Sequence, residues 1–380
     1  MTGLLFILLT TARACLDTPP RARRRHHALV TRRWVARRFH RGDPSRYFAI
    51  IQSPVDETYW LLSKNGSYPN AAQKSSLNVW RGCDARLHCP HRPAVVARGG
   101  NEVHNYAVLS DAGKVWGVSG LTSQTRNTTW GLRSSSDDWL VDDRIPPLSS
   151  THPGCIENRP RRPVCQYDGR FSLAKLRNAT LIYARGNAHP VKRGRQVTVA
   201  RLDDMKWGPL EPLVFNDAPP PFDVLHDPLQ ALEQADVYFG SVNPNPALRG
   251  TLLGLFPTAL KSGQAAVLMG ASCDGVHWGA PLELYASSHV AGEIADHAVD
   301  GLTVLGGDVL IHIHAGVPGA FAKTCAFQAL HPKPGRKEHP YDRSWREPPS
   351  ELVGLAIPLP KLGAWARRQL RGLEGCPHDR

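Results

Sequence analysis

No apolar run in the 380-residue sequence reaches the ~18 residues needed to cross a bilayer, so no membrane-spanning helix is expected. No heptad pattern is sustained, which removes a coiled coil. The eight cysteines, at 15, 83, 89, 155, 165, 273, 325 and 376, never adopt the C-x-x-C spacing of a zinc or redox site. Phosphate loops, dinucleotide fingerprints and G-x-S-x-G elbows are missing, and no cofactor is expected. Acids are missing from Arg21 to Arg41, and that gap explains the net charge of +13. Residues 1–41 hold ten of the 46 basic residues and one of the 33 acids, Asp17, which leaves a net of only +4 for the rest. A nucleic-acid-binding domain would spread its cations over a folded face among aromatics. This basicity instead reads as a solvated arm, and no nucleic-acid partner is expected.

What is present is a globular composition, 42% apolar and 21% charged. The 33 glycines and 32 prolines make up about 17% of the chain against a usual ~12%, which favours short elements joined by turns. From residue 46 the pattern is strand, turn, strand: Arg46–Gln52, Glu57–Leu62, Tyr106–Leu109, Lys114–Val118, Phe171–Leu176, Thr180–Ala184 and Gln196–Ala200. Val237–Val242, Thr251–Phe256, Ala265–Met269, Leu302–Leu305 and Asp308–His314 continue it, and helical periodicity is visible mainly in Leu362–Leu370.

A repeat organises these strands. Asp203 precedes Trp207 and Asp274 precedes Trp278 in the same x-x-Asp-x-x-x-Trp turn, with the tryptophans 71 residues apart. Trp139, after Asp137 and Asp138, lies 68 residues before Trp207 in a shortened version. Turns at this period, each between a third and a fourth strand, describe an all-β fold: a five-bladed β-propeller of four-stranded antiparallel blades. The Asp is expected to cap its own turn and the Trp to pack between sheets, a structural role. Residues 1–41 are expected outside the propeller as a leader plus basic arm. Residues 42–360 form the propeller, and 361–380 a tail with a short helix.

Acids run in a second register before successive innermost strands: Glu102, Asp168, Asp236 and Asp300, at intervals of 66, 68 and 64. Innermost strands surround the central channel, so these carboxylates either converge on one funnel or cap their own loops.

The turn Ser272-Cys-Asp274-Gly275-Val-His-Trp278 resembles the Asp-box of sialidases and related propellers. The stretches Cys165-Gln-Tyr-Asp168-Gly169-Arg-Phe-Ser172, Leu181-Ile-Tyr-Ala-Arg185-Gly-Asn187, Asn243-Pro-Asn245 and Leu252–Pro257 are similar to a scarcely characterised group of glycosyl-hydrolase-like five-bladed propellers. The resemblance covers roughly residues 100–320 and implies the architecture of fructosidases and arabinanases. It departs from fructosidases in lacking Asn-Asp-Pro-Asn-Gly, Arg-Asp-Pro and Glu-Cys. It departs from sialidases in offering Arg185, Arg195 and Arg249 for an Arg triad but no Tyr–Glu pair.

A glycosidase needs two carboxylates flanking the scissile bond, one protonated and one ionised. Neighbouring like charges in a ring of acids supply the difference in pKa. Asp168 is the first catalytic candidate, followed by Asp236, Asp300 and Glu102. Arg185, Asn187, Arg195, Gln196 and Asn243 are the substrate-binding candidates, although Arg195 and Gln196 serve equally well to satisfy the blade's own backbone. His312 and His314 share one strand face but lack a nearby acid or Cys in sequence, so no metal is expected. The expected ligand is a carbohydrate. The alternatives are a non-catalytic glycan- or protein-binding propeller and, more weakly, a sialidase.

Gly3–Leu9 forms a short apolar segment, and Ala12-Arg13-Ala14 offers the small residues of a cleavage site. Sequons stand at Asn65, Asn127 and Asn178. Cys83/Cys89 and Cys155/Cys165 are spaced to close small disulfide loops in an oxidising compartment. A secreted glycoprotein is the expectation.

Overall fold

The computed structural model describes residues 26–40, 43, 45–54, 56–65, 76–98, 105–111, 114–119, 128–132, 139–141, 146, 148, 152–154, 167, 169–187, 195–216, 236–259, 264–290, 296–317, 349–373 and 376. Their strands fall into five sheets in a β-propeller arrangement. The first sheet is the meander Arg46–Gln52, Tyr59–Asn65, Ser76–Cys83 and Ala94–Arg98. A second meander runs Ala107–Asp111, Lys114–Ser119, Thr128–Leu132 and Trp139–Val141. Ser172–Leu176, Ala179–Asn187 and Arg195–Asp203 lead the third sheet, with Lys206–Trp207 and Glu211–Pro212 both pairing the last of them. The fourth is built on Ser241–Pro244, Leu252–Ala259, Gln264–Ser272 and Leu282–Val290. Val214–Phe215 crosses from the end of the third sheet to pair in parallel with His277–Trp278 of the fourth.

The last sheet closes the ring with strands from opposite ends of the chain. Thr303–Leu305, Asp308–Ala315 and Glu351–Pro358 form its meander, and Arg32–Arg38 adds antiparallel to Glu351–Pro358. Part of the basic arm is therefore an edge strand of the propeller and not a solvated tail outside it. Its cations lie over aromatic rings, Arg37 over Trp80 at 4.9 Å and Arg33 over Tyr285 at 6.0 Å. Trp34, between them, turns inward.

Tight turns fix the registers. Asp204 and Met205 both take positive φ (46° and 60°), as do Gly306 and Gly307 (57° and 84°), which is the geometry of two-residue hairpin loops whose twist matches the strands. The Asp203 turn thus differs from the expected cap: its carboxylate accepts from Arg201 Nε at 3.1 Å on the exposed surface. Asp274 does cap its turn, accepting from the amides of Val276 and His277, both at 2.8 Å, and from His277 Nδ1 at 2.7 Å. A second such turn follows the third strand of the first sheet, where Asp84 accepts from the amides of Arg86 and His88 and from His88 Nδ1. Trp207 and Trp278 are both buried. Trp278 packs against Phe256, Phe215 and Tyr183 and donates to Gly275 O. The side chain of Trp139 lies outside the described residues.

Cys83 and Cys89 form the expected short-loop disulfide. Cys273 pairs with Cys376, which sequence spacing did not indicate, and Cys155 and Cys165 lie outside the described residues. The C-terminal periodicity folds as the helix Leu359–Leu370, entered through Pro358 and burying Leu362, Trp365, Ala366 and Leu370 along one stripe. No helix among the described residues is long and apolar enough to cross a membrane.

Candidate functional site

Innermost strands meet at one carboxylate. Asp300 pairs in parallel with Ala49: its amide donates to Phe48 O at 3.0 Å, and its carbonyl accepts from Ile50 N at 2.6 Å. Gly301, at φ +95°, turns the chain away at once, and a Cβ there would lie 1.9 Å from Ile50 O. The Asp300 side chain reaches into two further sheets. Its Oδ1 accepts from Ser172 Oγ at 3.0 Å and Ser241 Oγ at 2.9 Å, and its Oδ2 stands 3.4 Å from an Arg170 guanidinium nitrogen. Arg170 also donates to Phe48 O and lies over the Tyr106 ring at 5.4 Å, while Tyr106 Oη donates to Tyr47 O. Through Tyr106 the second sheet joins the other four.

Arg170 and Asp300 are both almost fully enclosed, at 1% and 4% exposure. Burial raises the Asp300 carboxyl above its ordinary range, against the pull of Arg170 and of the polar side chains of Ser241, Ser172 and Asn243. Burial likewise raises the Tyr106 phenol. A carboxylate bonded on both oxygens inside a closed core ties the elements around it together.

Beside this hub lies an aromatic and cationic cluster. The hydroxyls of Tyr47 and Tyr238 stand 3.2 Å apart. His297 stacks on Tyr47 (5.8 Å, 10°) and tilts over Tyr238 (5.1 Å, 35°). The Arg185 guanidinium covers the other reach of Tyr238 at 5.1 Å. Arg185 is seated against Gly169, where a Cβ would come within 2.8 Å of its Cβ and Cδ. Tyr47, His297 and Arg185 are buried, while Tyr238 is half-buried and gives the cluster its access to solvent.

The sequence candidates divide accordingly. Arg185 joins the cluster, one residue from Asp168 by way of Gly169. Asn243 and Asp300 belong to the hub, so Asp300 is drawn inward and not toward an open funnel. Glu102 and Asp168 lie outside the described residues, and Asp236 is placed only by its backbone, opposite Ala259. Asn187 and Arg195 face each other across the third-sheet hairpin with side chains outside the described set, Gln196 is half-buried beside them, and Arg249 stands exposed in the turn 246–250. The structure adds Arg170, Ser172, Ser241, Tyr47, Tyr238 and His297. Arg170 and Ser172 sit in the string after Asp168, and the signal there was a cation at the head of an otherwise apolar strand, which requires a buried partner.

His312 and His314 are fully buried in the closing sheet. Trp34 meets His312 edge-on at 5.8 Å, and Phe39 and Phe48 meet His314 at 5.7 and 4.9 Å. Burial drives both imidazoles down to about 3, with Asp84 opposing the shift at His312 and Arg46 adding to it at His314. Among the described residues no group of three His, Cys, Asp or Glu is placed to hold a metal.

No protein-family model matches the chain, and no curated protein matches it. Among solved structures the chain is similar to a protein of unknown function from Dyadobacter fermentans, at 12% identity over 87% of this chain and 98% of that one, with a TM-score of 0.49. It is similar to an N-acetylgalactosamine deacetylase from F. plautii, solved with blood group B trisaccharide, at 9% identity over 90% and 97% with a TM-score of 0.47. It is also similar to an α-L-arabinanase from Penicillium chrysogenum complexed with arabinobiose, at 11% identity over 77% and 84% with a TM-score of 0.45. At such scores these likenesses decide nothing about chemistry, which rests on the residues above.

Proposed function

We propose that the five sheets are the five blades of a carbohydrate-active propeller, whose ligand mouth lies at the upstream ends of the innermost strands. The observation that carries this reading is the convergence on Asp300: strand entrances near residues 48, 106, 170, 241 and 300 are bonded to one centre. Residues just upstream of these entrances include Glu102, Asp168 and Asp236. The mouth then combines carboxylates with the Arg185 guanidinium and the half-buried Tyr238 ring. Such a set offers charged acceptors for hydroxyls, a donor fork and an apolar face with a polar tip. Two of the carboxylates held together repel, which raises the pKa of one and gives the acid of a glycoside hydrolysis, while the other stays ionised.

Purified protein screened against chromogenic glycosides, with furanosides and a sialoside included, tests this. Turnover is expected on at least one neutral glycoside, and Asp168→Asn should reduce it by about a thousandfold or more with unchanged thermal unfolding. Retention of activity in that variant would remove Asp168 from the chemistry. A non-catalytic glycan-binding propeller is favoured by the withdrawal of Asp300 into the core, which leaves the mouth one carboxylate fewer. Saturable glycan binding without turnover would establish that second reading. The two disulfides among the described residues support a secretory setting, since such bonds persist in oxidising compartments.

A further inference from the structure

We propose a second binding site, at the seam between the first and closing sheets, that takes a small amphipathic anion. It is independent of whatever ligand the mouth accepts. A cavity of about 490 Å³ opens at the seam between the first and closing sheets, within the ~300–1,000 Å³ range of small-molecule sites. Its floor and wall are apolar: Trp34 from the edge strand, Leu310 and Ala356 from the two strands inside it, and Leu305 from the hairpin. Its rim is cationic, with Arg33 and Arg86, and no acid among the described residues lines it.

The neighbouring charges single out Arg86. Arg32 is paired with Asp308, His88 is bonded to Asp84, and the Arg33 guanidinium reaches toward the Tyr285 ring. Arg86 is exposed and forms no ion pair with a described residue. Large apolar side chains also stay in water here: Leu305 is 40% exposed and Val35 39%. A ligand with an apolar body would cover them, and an attached carboxylate or sulfonate would meet Arg86.

The cavity is held open before any ligand arrives. The Cys83–Cys89 disulfide closes the loop that carries Arg86, and Asp84 accepts from the loop amides of Arg86 and His88 at 2.8 and 2.9 Å. The facing hairpin is fixed by Thr303 Oγ1 donating to Ala85 O at 2.6 Å and Val304 N donating to Tyr59 Oη at 3.2 Å. Both walls are thus ordered in the free protein, which spares the ligand the entropy of ordering them.

Naphthalene-2-sulfonate, titrated calorimetrically into the full chain, is the probe, with naphthalene-2-methanol as its neutral counterpart. One equivalent is expected to bind with a Kd of about 1 mM or tighter. The neutral compound and the Arg86→Ala variant should each weaken binding at least about fivefold. Leu305→Glu, on an exposed hairpin, should abolish binding while thermal unfolding stays unchanged. Absence of saturable binding would overturn the proposal, as would equal affinity for the neutral compound or undiminished binding to Arg86→Ala.

Discussion

The indole of Trp34 fills the space that a side chain at residue 354 would need. A Cβ on Gly354 would lie 2.1 Å from Trp34 Cζ2, so the ring crosses the intervening strand and reaches His312 beyond it. Gly354→Ala should expel the indole and loosen the edge strand Arg32–Arg38. The expected cost is roughly 2–4 kcal/mol, by analogy with other overpacked or lost core contacts. Trypsin should then cut within Arg32–Arg38 faster than in the parent protein. Unchanged protection of these arginines would disprove the latch.

The buried Arg170–Asp300 pair makes a separate prediction. Arg170→Met leaves Asp300 enclosed without its cation and should destabilise by about 3–5 kcal/mol, while joint replacement with Asp300→Leu should recover much of that loss. Denaturant unfolding of the two single variants and the double variant measures the coupling. Independent, additive losses would mean that the hub is not a unit.

Acid should weaken the closing sheet through His312 and His314. Neither ring has a hydrogen-bond partner among the described residues, and both stay neutral in the folded state, with values near 3 against an ordinary 6.5. The unfolded chain therefore takes up protons first as pH falls. Their contribution to stability is complete above about pH 6.5, declines between there and pH 3, and levels off below, with a slope approaching about 1.4 kcal/mol per pH unit for each histidine. Urea midpoints between pH 7 and 5 should show it, and His314→Leu should flatten the slope. A pH-independent midpoint across that interval would contradict the assignment.

Trp278→Ala should cost about 3–5 kcal/mol, because the indole is wholly buried among Phe215, Phe256 and Tyr183. Asp274→Ala acts on the same turn through its polar side. Burial works against ionisation of that carboxylate, yet the bonds from His277 and Val276 outweigh it and hold it below the usual range. Stability from this cap is present above about pH 4 and is lost as pH falls through the depressed value. Asp203→Ala, which removes only an exposed contact to Arg201, should change stability by less than about 0.5 kcal/mol. Thermal unfolding of the three variants ranks them, and an Asp203 effect as large as that of Asp274 would restore the equivalence of the two turns.

The strands and their grouping are legible in the sequence because apolar alternation and turn residues are local signals, and the tryptophan period carries them around the ring. The Asp84 turn, also after a third strand, escapes that reading because His88 stands where the motif would have its tryptophan. The edge strand is hidden for a different reason. In Arg32-Arg-Trp-Val-Ala-Arg-Arg38 the charge dominates the pattern, and the partners of those cations, Tyr285, Trp80 and Asp308, come from distant parts of the chain. The acid register singles out Asp300, yet direction along a strand decides whether a carboxylate faces solvent or core. That direction is set by Gly301 and by Arg170, 130 residues away. The Cys273–Cys376 bond spans 103 residues, a pairing that no spacing rule selects.

Closure of the ring by Arg32–Arg38 against Glu351–Pro358 also sets a timetable for biogenesis. Arg32 is opposite Ala356, so this seam cannot form until more than 320 further residues have been made. At ~5–20 residues per second the edge strand waits roughly 15–60 seconds after its own synthesis, an interval in which the sheets between can already pair by local hairpins. During that wait a tryptophan-bearing, arginine-rich strand is unpaired and open to holding chaperones or to proteases that cut after basic residues. Ring closure is thus a step completed after most of the chain has emerged, and the yield of native protein should depend on how the first forty residues are shielded until their partner arrives.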